Sequence, residues 1–168
     1  FIERLPAPDA SWLQIEPADL LECFRHLAKF LLQQRLGLRL LADRILATAG
    51  RAAAQPTLAE HAQALSAALA RLEQATRSAW AGGEPAAALA NATPYLQAFG
   101  HVVLAWVWLD GALCAVAQLD GGRDEAPLQG KLAACRYFFR YELPRIGAWL
   151  AVVETRDDTC RTMADEWF

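Results

Sequence analysis

The sequence lacks the short motifs that mark most catalytic, nucleotide-binding and metal sites. Its glycine pairs, at residues 82–83 and 121–122, form neither a G-x-G-x-x-G nor a Walker A loop, so no nucleotide-binding motif is present. H-E-x-x-H and E-x-x-H pairs are also absent. The three histidines, His26, His61 and His101, fall on three different predicted helices, and we predict no metal site.

An excess of positive charge is missing as well. The net charge is -3, and acidic and basic residues are interspersed along the chain. Nucleic acids and anionic membranes select proteins with a basic surface, so we predict neither as a partner. Alternating patterns of strand-forming residues are almost absent, whereas alanine, the best helix former, is abundant. The composition therefore favours an all-α fold.

None of the cysteines belongs to a C-x-x-C pair. We therefore predict reduced thiols in a cytoplasmic protein. The four are Cys23, Cys114, Cys135 and Cys160. Cys114 and His101 lie thirteen residues apart on one predicted helix, or about 20 Å, and cannot form a catalytic pair. Cys135 lies close to Lys131 and Arg136, but its place in the apolar pattern predicts a buried, inert thiol.

The 168 residues suit one domain. We predict an irregular lead-in over residues 1–15, a helical bundle over residues 16–155 and a tail over residues 156–168 with a short helical turn. The chain starts with Phe1 and shows no signal-like segment, so we expect it to be a piece of a longer polypeptide.

Apolar spacing and turn residues predict the first two helices. The first runs from about Leu20, with apolar residues alternately three and four apart, and should end near Gly50. A capping box, Thr57-x-x-Glu60, predicts the start of the second, and the glycines at residues 82–83 predict its end. A short helical stretch should follow Glu84 and the proline after it.

The third helix is predicted to begin with Thr93 as N-cap and Pro94 at its first position. Residues 96–119 are almost entirely apolar, which is typical of a central bundle helix. A membrane span is the alternative, but Asp110 would then lie inside the bilayer at a large energetic cost.

The fourth helix is predicted over residues 129–154, with a kink at Pro144, and Thr155-x-x-Asp158 should cap a last turn. Short loops between helices favour antiparallel neighbours. The predicted fold is therefore an up-and-down bundle of three to four long antiparallel helices.

The third and fourth helices carry an unusual number of aromatic residues. Adjacent aromatics point to different sides of a helix, so other helices of this chain or a partner surface must cover them. Arg136 and Arg140 share one helical face and could meet a phosphate or a partner's carboxylate, or form an ion pair inside the domain, for example with Glu142. The residues predicted for a possible interface are Trp106, Trp108, Arg136, Phe138, Phe139 and Arg140.

Several separated blocks resemble the extra carboxy-terminal domain of larger bacterial acyl-CoA dehydrogenases. They are Y-L-Q-A-F-G-H at residues 95–101, W-x-W at 106–108, G-K-L-A-A-C-R-Y-F-F-R-Y-E-L-P at 130–144, and the segment from Asp157 to the end. The resemblance covers about residues 56–168, and the match is poorer before that.

The resemblance implies a parent enzyme that uses FAD and oxidises acyl-CoA thioesters, as in fatty-acid oxidation. A glutamate base would remove a proton, and the flavin would accept a hydride. The family's Y-E-G-T-like base motif is absent from this sequence, so the resemblance places no catalytic or cofactor-binding residue here and implies no activity for this chain alone. The parent would also supply contact with acyl-CoA.

Two functional hypotheses follow. In the first, the chain is a structural domain of such a dehydrogenase, which braces the catalytic part and builds a homo-oligomer. In the second, it is a free-standing helical interaction module with the same fold.

Overall fold

A computed structural model describes residues 38–123 and 125–167. In this part of the chain every regular element is helical, which confirms the predicted all-α fold. Residues Arg39–Phe168 form a compact unit. The helices are α1 (Leu38–Ala53), α2 (Ala59–Trp80), α3 (Pro85–Leu89), α4 (Ala92–Asp120), α5 (Glu125–Tyr137), α6 (Ile146–Glu154) and α7 (Thr159–Thr162).

The core lies between α2, α4, α5 and α6. Helix α4 packs against α5, α6 and α2, and α2 also packs against α6. Leu65 of α2, Leu109 of α4 and Leu150 of α6 are completely buried. Alanines between these large residues, such as Ala75 and Ala105, are also fully buried and allow the helices to approach closely.

The long helices alternate in direction. A turn joins α4 and α5 at one end, whereas His101, in the first half of α4, lies beside residues that follow α5. Near the start of α4, Tyr95 hydrogen-bonds to Thr76 in the last turns of α2, so these two helices are also antiparallel. These contacts confirm the predicted up-and-down bundle for the part of the chain that is described.

The glycine pairs end the helices as predicted. Gly83 and Gly122 have positive φ angles, 69° and 76°, which residues with a side chain rarely adopt. The prediction for Gly50 was wrong, because α1 continues through it to Ala53. The predicted part of that helix before Leu38 lies outside the described residues.

The predicted side-chain caps are wrong in detail. Helix α2 begins at Ala59, and neither Thr57 nor Glu60 forms the capping box, because Leu58 occupies the cap position without a side-chain hydrogen bond. Leu58 instead donates its backbone N–H to Gln55 in a turn and buries its side chain. Packing of Leu58 therefore fixes this helix start.

Similar shifts occur at two other helix starts. Helix α4 begins at Ala92, so Thr93 lies inside its first turn, and the residue before the helix is Asn91. The Asn91 amide donates to the carbonyls of Val152 and Asp157 and ties this corner to the chain end. At α7 the Asp157 carboxylate, not Thr155, accepts the backbone N–H of Thr159.

The predicted fourth helix is continuous but irregular. It begins at Glu125, four residues before the predicted start, and a wide π-helical turn, Phe138–Glu142, follows α5. A tight 3-10 turn, Leu143–Arg145, then leads into α6. The proline ring at residue 144 removes one backbone N–H from the ladder, which explains the predicted disruption at this point.

Helix α4 is not surrounded on all sides. One stripe is buried, including Val102, Ala105 and Leu109, whereas Leu104 and Val107 on the opposite side are about half exposed. In length and composition α4 could cross a membrane, but a core helix of a globular protein passes the same test. Helix α4 packs against α2, α5 and α6, as expected of a central helix, but one side of it is uncovered in the described part of the chain.

Candidate functional site

Trp106, predicted for an interface, fastens α4 to α1. Its indole Nε1 donates to Thr48 Oγ1 at 2.9 Å, and Thr48 is almost fully buried. Arg51 donates to the same hydroxyl at 3.2 Å and to Asp110 Oδ1 at 2.7 Å. This network gives Asp110, the acid within the apolar helix, a salt bridge inside the domain.

Phe138 and Phe139 belong to the core of the chain. They are 8% and 6% exposed, because α4 covers one and α2 covers the other. Phe139 stacks on His61 with ring centroids 4.7 Å apart, and Phe138 lies 5.9 Å from His101. Helices of the same chain therefore bury both rings, and neither ring is free to contact a partner surface.

His61 is a buried histidine that the apolar pattern did not single out. Burial lowers the pKa of its imidazole, and the nearby positive charges of Arg140 and Arg136 act in the same direction, while Glu60 opposes them. The neutral form is therefore favoured in the folded chain. Arg136 and Arg140 therefore lie close enough to His61 for their charges to act on its imidazole.

Glu142 forms a structural cluster at the π-helical turn. Its carboxylate accepts a hydrogen bond from Arg145 at 2.7 Å and lies 3.6 Å from His101 Nε2. Mainly because of the Arg145 hydrogen bond, the pKa of Glu142 is lowered. His101 also packs edge-on against Trp149, over which the Arg145 guanidinium lies.

The predicted ion pair of Arg136 or Arg140 with Glu142 is wrong. Glu142 is occupied by Arg145 and His101, and within residues 38–123 and 125–167 neither arginine forms a salt bridge. Both are exposed, and two tyrosines lie beside them in sequence, Tyr137 and Tyr141, 56% and 65% exposed and stacked on each other. Exposed tyrosine and arginine together are typical of protein interaction surfaces.

Helix α4 carries a second uncovered surface, here called its outer face. It runs opposite the buried stripe, and Leu104, Val107 and Trp108 on it are 48%, 55% and 36% exposed. The outer face consists of Leu96, Gln97, Gly100, Val103, Leu104, Val107, Trp108, Gly111 and Cys114. Of these, only Trp108 was predicted, although the excess of apolar residues over one core stripe was visible in the sequence.

The cysteines and histidines of the described part do not assemble a reactive centre. Cys135 is fully buried, as predicted, and burial raises the pKa of its thiol to about 11. Cys114 and Cys160 are exposed and free. Among residues 38–123 and 125–167 no group of three His, Cys, Asp or Glu side chains could hold a metal ion.

A surface pocket and an open groove lie in the described part of the chain. One lies beside α3 and has mixed charge, with Arg156, Arg161, Asp157 and Asp158 in its wall. The other is an open groove between α1 and α2, lined mostly by small apolar residues such as Ala49 and Ala62. Neither contains a glycine-rich loop that could hold a diphosphate, so these residues do not fit FAD.

A scan of protein-family models matches residues 41–164 to a family described as acetyl-CoA dehydrogenase C-terminal like. The match spans about three quarters of the 168 residues. The chain belongs to this family. No curated protein and no solved structure matches it.

Membership of the acetyl-CoA dehydrogenase C-terminal-like family confirms the resemblance drawn from the sequence blocks. The family match begins at Leu41 and so includes most of α1, earlier than the predicted start at residue 56. The buried residues Ile45, Thr48 and Ala52 explain this extent, because α1 contributes to the same core as the later helices.

Proposed function

We propose that this chain is the carboxy-terminal helical domain of an FAD-dependent acyl-CoA dehydrogenase and that its role is structural. It would brace the catalytic part of the parent enzyme and contribute to a homo-oligomer. The observation that carries the proposal is the family match over residues 41–164. The parent would oxidise acyl-CoA thioesters in a cytoplasmic pathway of fatty-acid type.

The site chemistry supports a structural role. In the described part, polar clusters fasten helices to each other: Thr48 joins α1 to α4, Arg71 joins α2 to α6, and Glu142 joins the π-helical turn to α4. Because these groups are engaged in such contacts, we assign the base and the flavin site to the rest of the parent and derive no catalytic step from this chain.

The exposed groups support an interaction role. Arg136, Tyr137, Arg140 and Tyr141 form one exposed patch on α5 and the turn after it, and the outer face of α4 forms another. Such surfaces on a domain with a well-packed core are typical of contacts with other protein surfaces.

The test compares the full parent protein with a truncated parent protein that ends before the position of residue 38. We expect the truncated protein to lose oligomer mass in light scattering and to retain FAD less firmly, whereas acyl-CoA oxidation should require the upstream part. A matched control is the full parent with Ala133→Glu, an exposed change on α5. If no flavoprotein precedes this chain in its reading frame, the proposal fails and the free-standing interaction module replaces it.

A further inference from the structure

His61 is a buried polar side chain without a hydrogen-bond partner in the described part of the chain. It is 8% exposed, and its ring stacks on Phe139. Neither ring nitrogen takes part in a hydrogen bond or a salt bridge within residues 38–123 and 125–167. A neutral imidazole carries one N–H donor and one acceptor nitrogen. Buried polar groups are normally satisfied, so an unpartnered one calls for an explanation.

Two guanidinium groups without an acidic partner lie near this imidazole. Burial is the main cause of the lowered pKa of His61, and the charges of Arg140 and Arg136 add to it. Both arginines are exposed, and among the described residues neither forms a salt bridge or a hydrogen bond. Glu60 acts on His61 in the opposite sense but does not pair with either arginine. Three hydrogen-bond donors therefore lie close together without an acceptor.

We propose that Arg136, Arg140 and His61 form a binding site for an acidic segment of a partner protein. Carboxylates of that segment would accept hydrogen bonds from the two guanidinium groups, and one of them would also accept the imidazole N–H. This inference rests on the interaction role proposed above and names the chemistry of the partner.

The neighbouring tyrosines favour a protein partner over a free anion. Tyr137 and Tyr141 are 56% and 65% exposed, and their stacked rings, with centroids 4.9 Å apart, form a flat surface beside the arginines. Tyrosine and arginine are the residue types that dominate protein interfaces. Sites for free phosphate usually offer unpaired backbone N–H groups, as at a helix N-terminus. Here the chain continues from α5 into further helical turns, so the backbone does not form such a site.

The charge of this region selects an acidic partner. Residues 126–141 include Lys131, Arg136 and Arg140 and no acid. The next acid along the chain, Glu142, is paired with Arg145. The whole chain nevertheless has a net charge of -3. The positive charge is therefore local, unlike the wide basic surface that nucleic acids and anionic membranes select.

The spacing of the arginines sets the spacing of the partner's carboxylates. Arg136 and Arg140 are four residues apart, which corresponds to about 6 Å along a helix. Two acids four residues apart on a partner helix have the same spacing. Arginine binds a carboxylate through two parallel N–H···O bonds, so each pair also has a fixed direction. We therefore expect a partner segment with two acids on one helical face.

Binding should be coupled to the protonation of His61. The charged groups that act on its imidazole are Glu60, Arg140 and Arg136. A carboxylate placed between the arginines offsets their charge and favours the imidazolium, so the pKa of His61 should rise on binding. By linkage, binding should strengthen as the pH falls from about 8 to about 6, where carboxylates stay ionised.

The experiment titrates the 168-residue chain with an alanine-based helical peptide that carries two glutamates four residues apart. NMR follows the histidine ring signals, because two exposed charge pairs predict only millimolar affinity. The comparison probes are the same peptide with two glutamines and inorganic phosphate at equal ionic strength. We expect the glutamate peptide to bind roughly tenfold more tightly than the glutamine peptide and to raise the pKa of His61.

Substitutions assign the binding to these residues. Arg136→Gln and Arg140→Gln should each weaken binding of the glutamate peptide roughly threefold. Arg44→Gln removes the same charge from an exposed position on α1 and should leave binding unchanged. His61→Phe keeps an aromatic ring against Phe139 but removes the N–H, so binding should lose its dependence on pH between about 8 and about 6. Equal urea midpoints would show that the arginine variants fold.

Four results would overturn the proposal. They are no binding of the glutamate peptide, an unchanged pKa of His61 in its presence, phosphate binding as tight as peptide binding, and an equal loss in Arg44→Gln. The last two would indicate a general anion site or unspecific attraction. The truncation of the parent is an independent test. If the peptide fails but the parent still loses its oligomeric state without residues 38–168, the proposed function survives and only this site is refuted.

Discussion

Leu109 and Leu104 lie on the same helix and differ in burial, so substituting each by alanine tests the packing of α4 directly. Leu109 is 0% exposed and lies in the core, whereas Leu104 is 48% exposed on the outer face. Both changes remove the same atoms, and both introduce the best helix former. Any difference in stability therefore reports burial.

The expected loss for Leu109→Ala is about 3–5 kcal/mol, because the transfer energy of the side chain and the cavity left behind add together. For a chain of this size, each kcal/mol corresponds to roughly 2–4 °C in Tm, so the variant should melt roughly 6–20 °C lower. Leu104→Ala should change the free energy of unfolding by less than about 0.5 kcal/mol in the monomer.

The assay is urea unfolding followed by far-ultraviolet circular dichroism at low protein concentration. The slope of free energy against urea should stay the same, so that the midpoint alone reports stability. A domain with ~5–15 kcal/mol of stability could unfold when Leu109 is replaced by alanine. Ile45→Val is a milder test of the core, because the expected loss in the free energy of unfolding is only about 0.5–1.5 kcal/mol. Equal losses at Leu109 and Leu104 would refute the assignment of α4's buried and outer sides.

Three further predictions follow from hydrogen bonds, charge and backbone geometry. Thr48→Val should lower the free energy of unfolding by about 1–3 kcal/mol, because the indole N–H of Trp106 loses its acceptor, and the loss should shrink in a Trp106→Phe background in a double-mutant cycle. The pKa of His61 is lowered in the folded chain, so its contribution to stability is complete above its ordinary value of 6.5 and is lost as the pH falls through the folded value. Urea midpoints of His61→Phe measured from pH 8 to pH 5 should therefore fall less than those of the unaltered chain, and parallel curves would contradict the argument. Gly122→Ala should cost about 1–2 kcal/mol because its φ of 76° is left-handed, whereas Gly130→Ala in open helix should stabilise the chain by up to ~1 kcal/mol, and thermal melts of the pair with equal shifts would refute this reasoning.

Helix position was predictable where the signal is local. The glycines at 82–83 and 121–122 end helices because glycine adopts positive φ at little cost, and Pro144 disrupts the fourth helix because it lacks an N–H donor. Side-chain caps were predicted less well. Thr57 and Thr93 are suitable cap residues, but burial of Leu58 and the hydrogen bonds of Asn91 determine where α2 and α4 start.

Partners of exposed and charged groups were the least predictable feature. Arg136, Arg140 and Arg145 all lie within a turn or two of Glu142, and only the distorted π-helical turn selects Arg145 as its partner. Phe138 and Phe139 were both predicted to belong to an interface. Their burial depends on α2 and α4 arriving from two sides, which no local pattern encodes.

The sequence by itself determined the all-helical fold, the places where glycine and proline interrupt it, and the family, because these depend on backbone preferences, apolar spacing and ordered residue blocks. The tertiary structure alone decided which side of α4 is buried. An apolar helix has no polar side to mark its orientation, so only the positions of α2, α5 and α6 leave Leu104 and Val107 exposed.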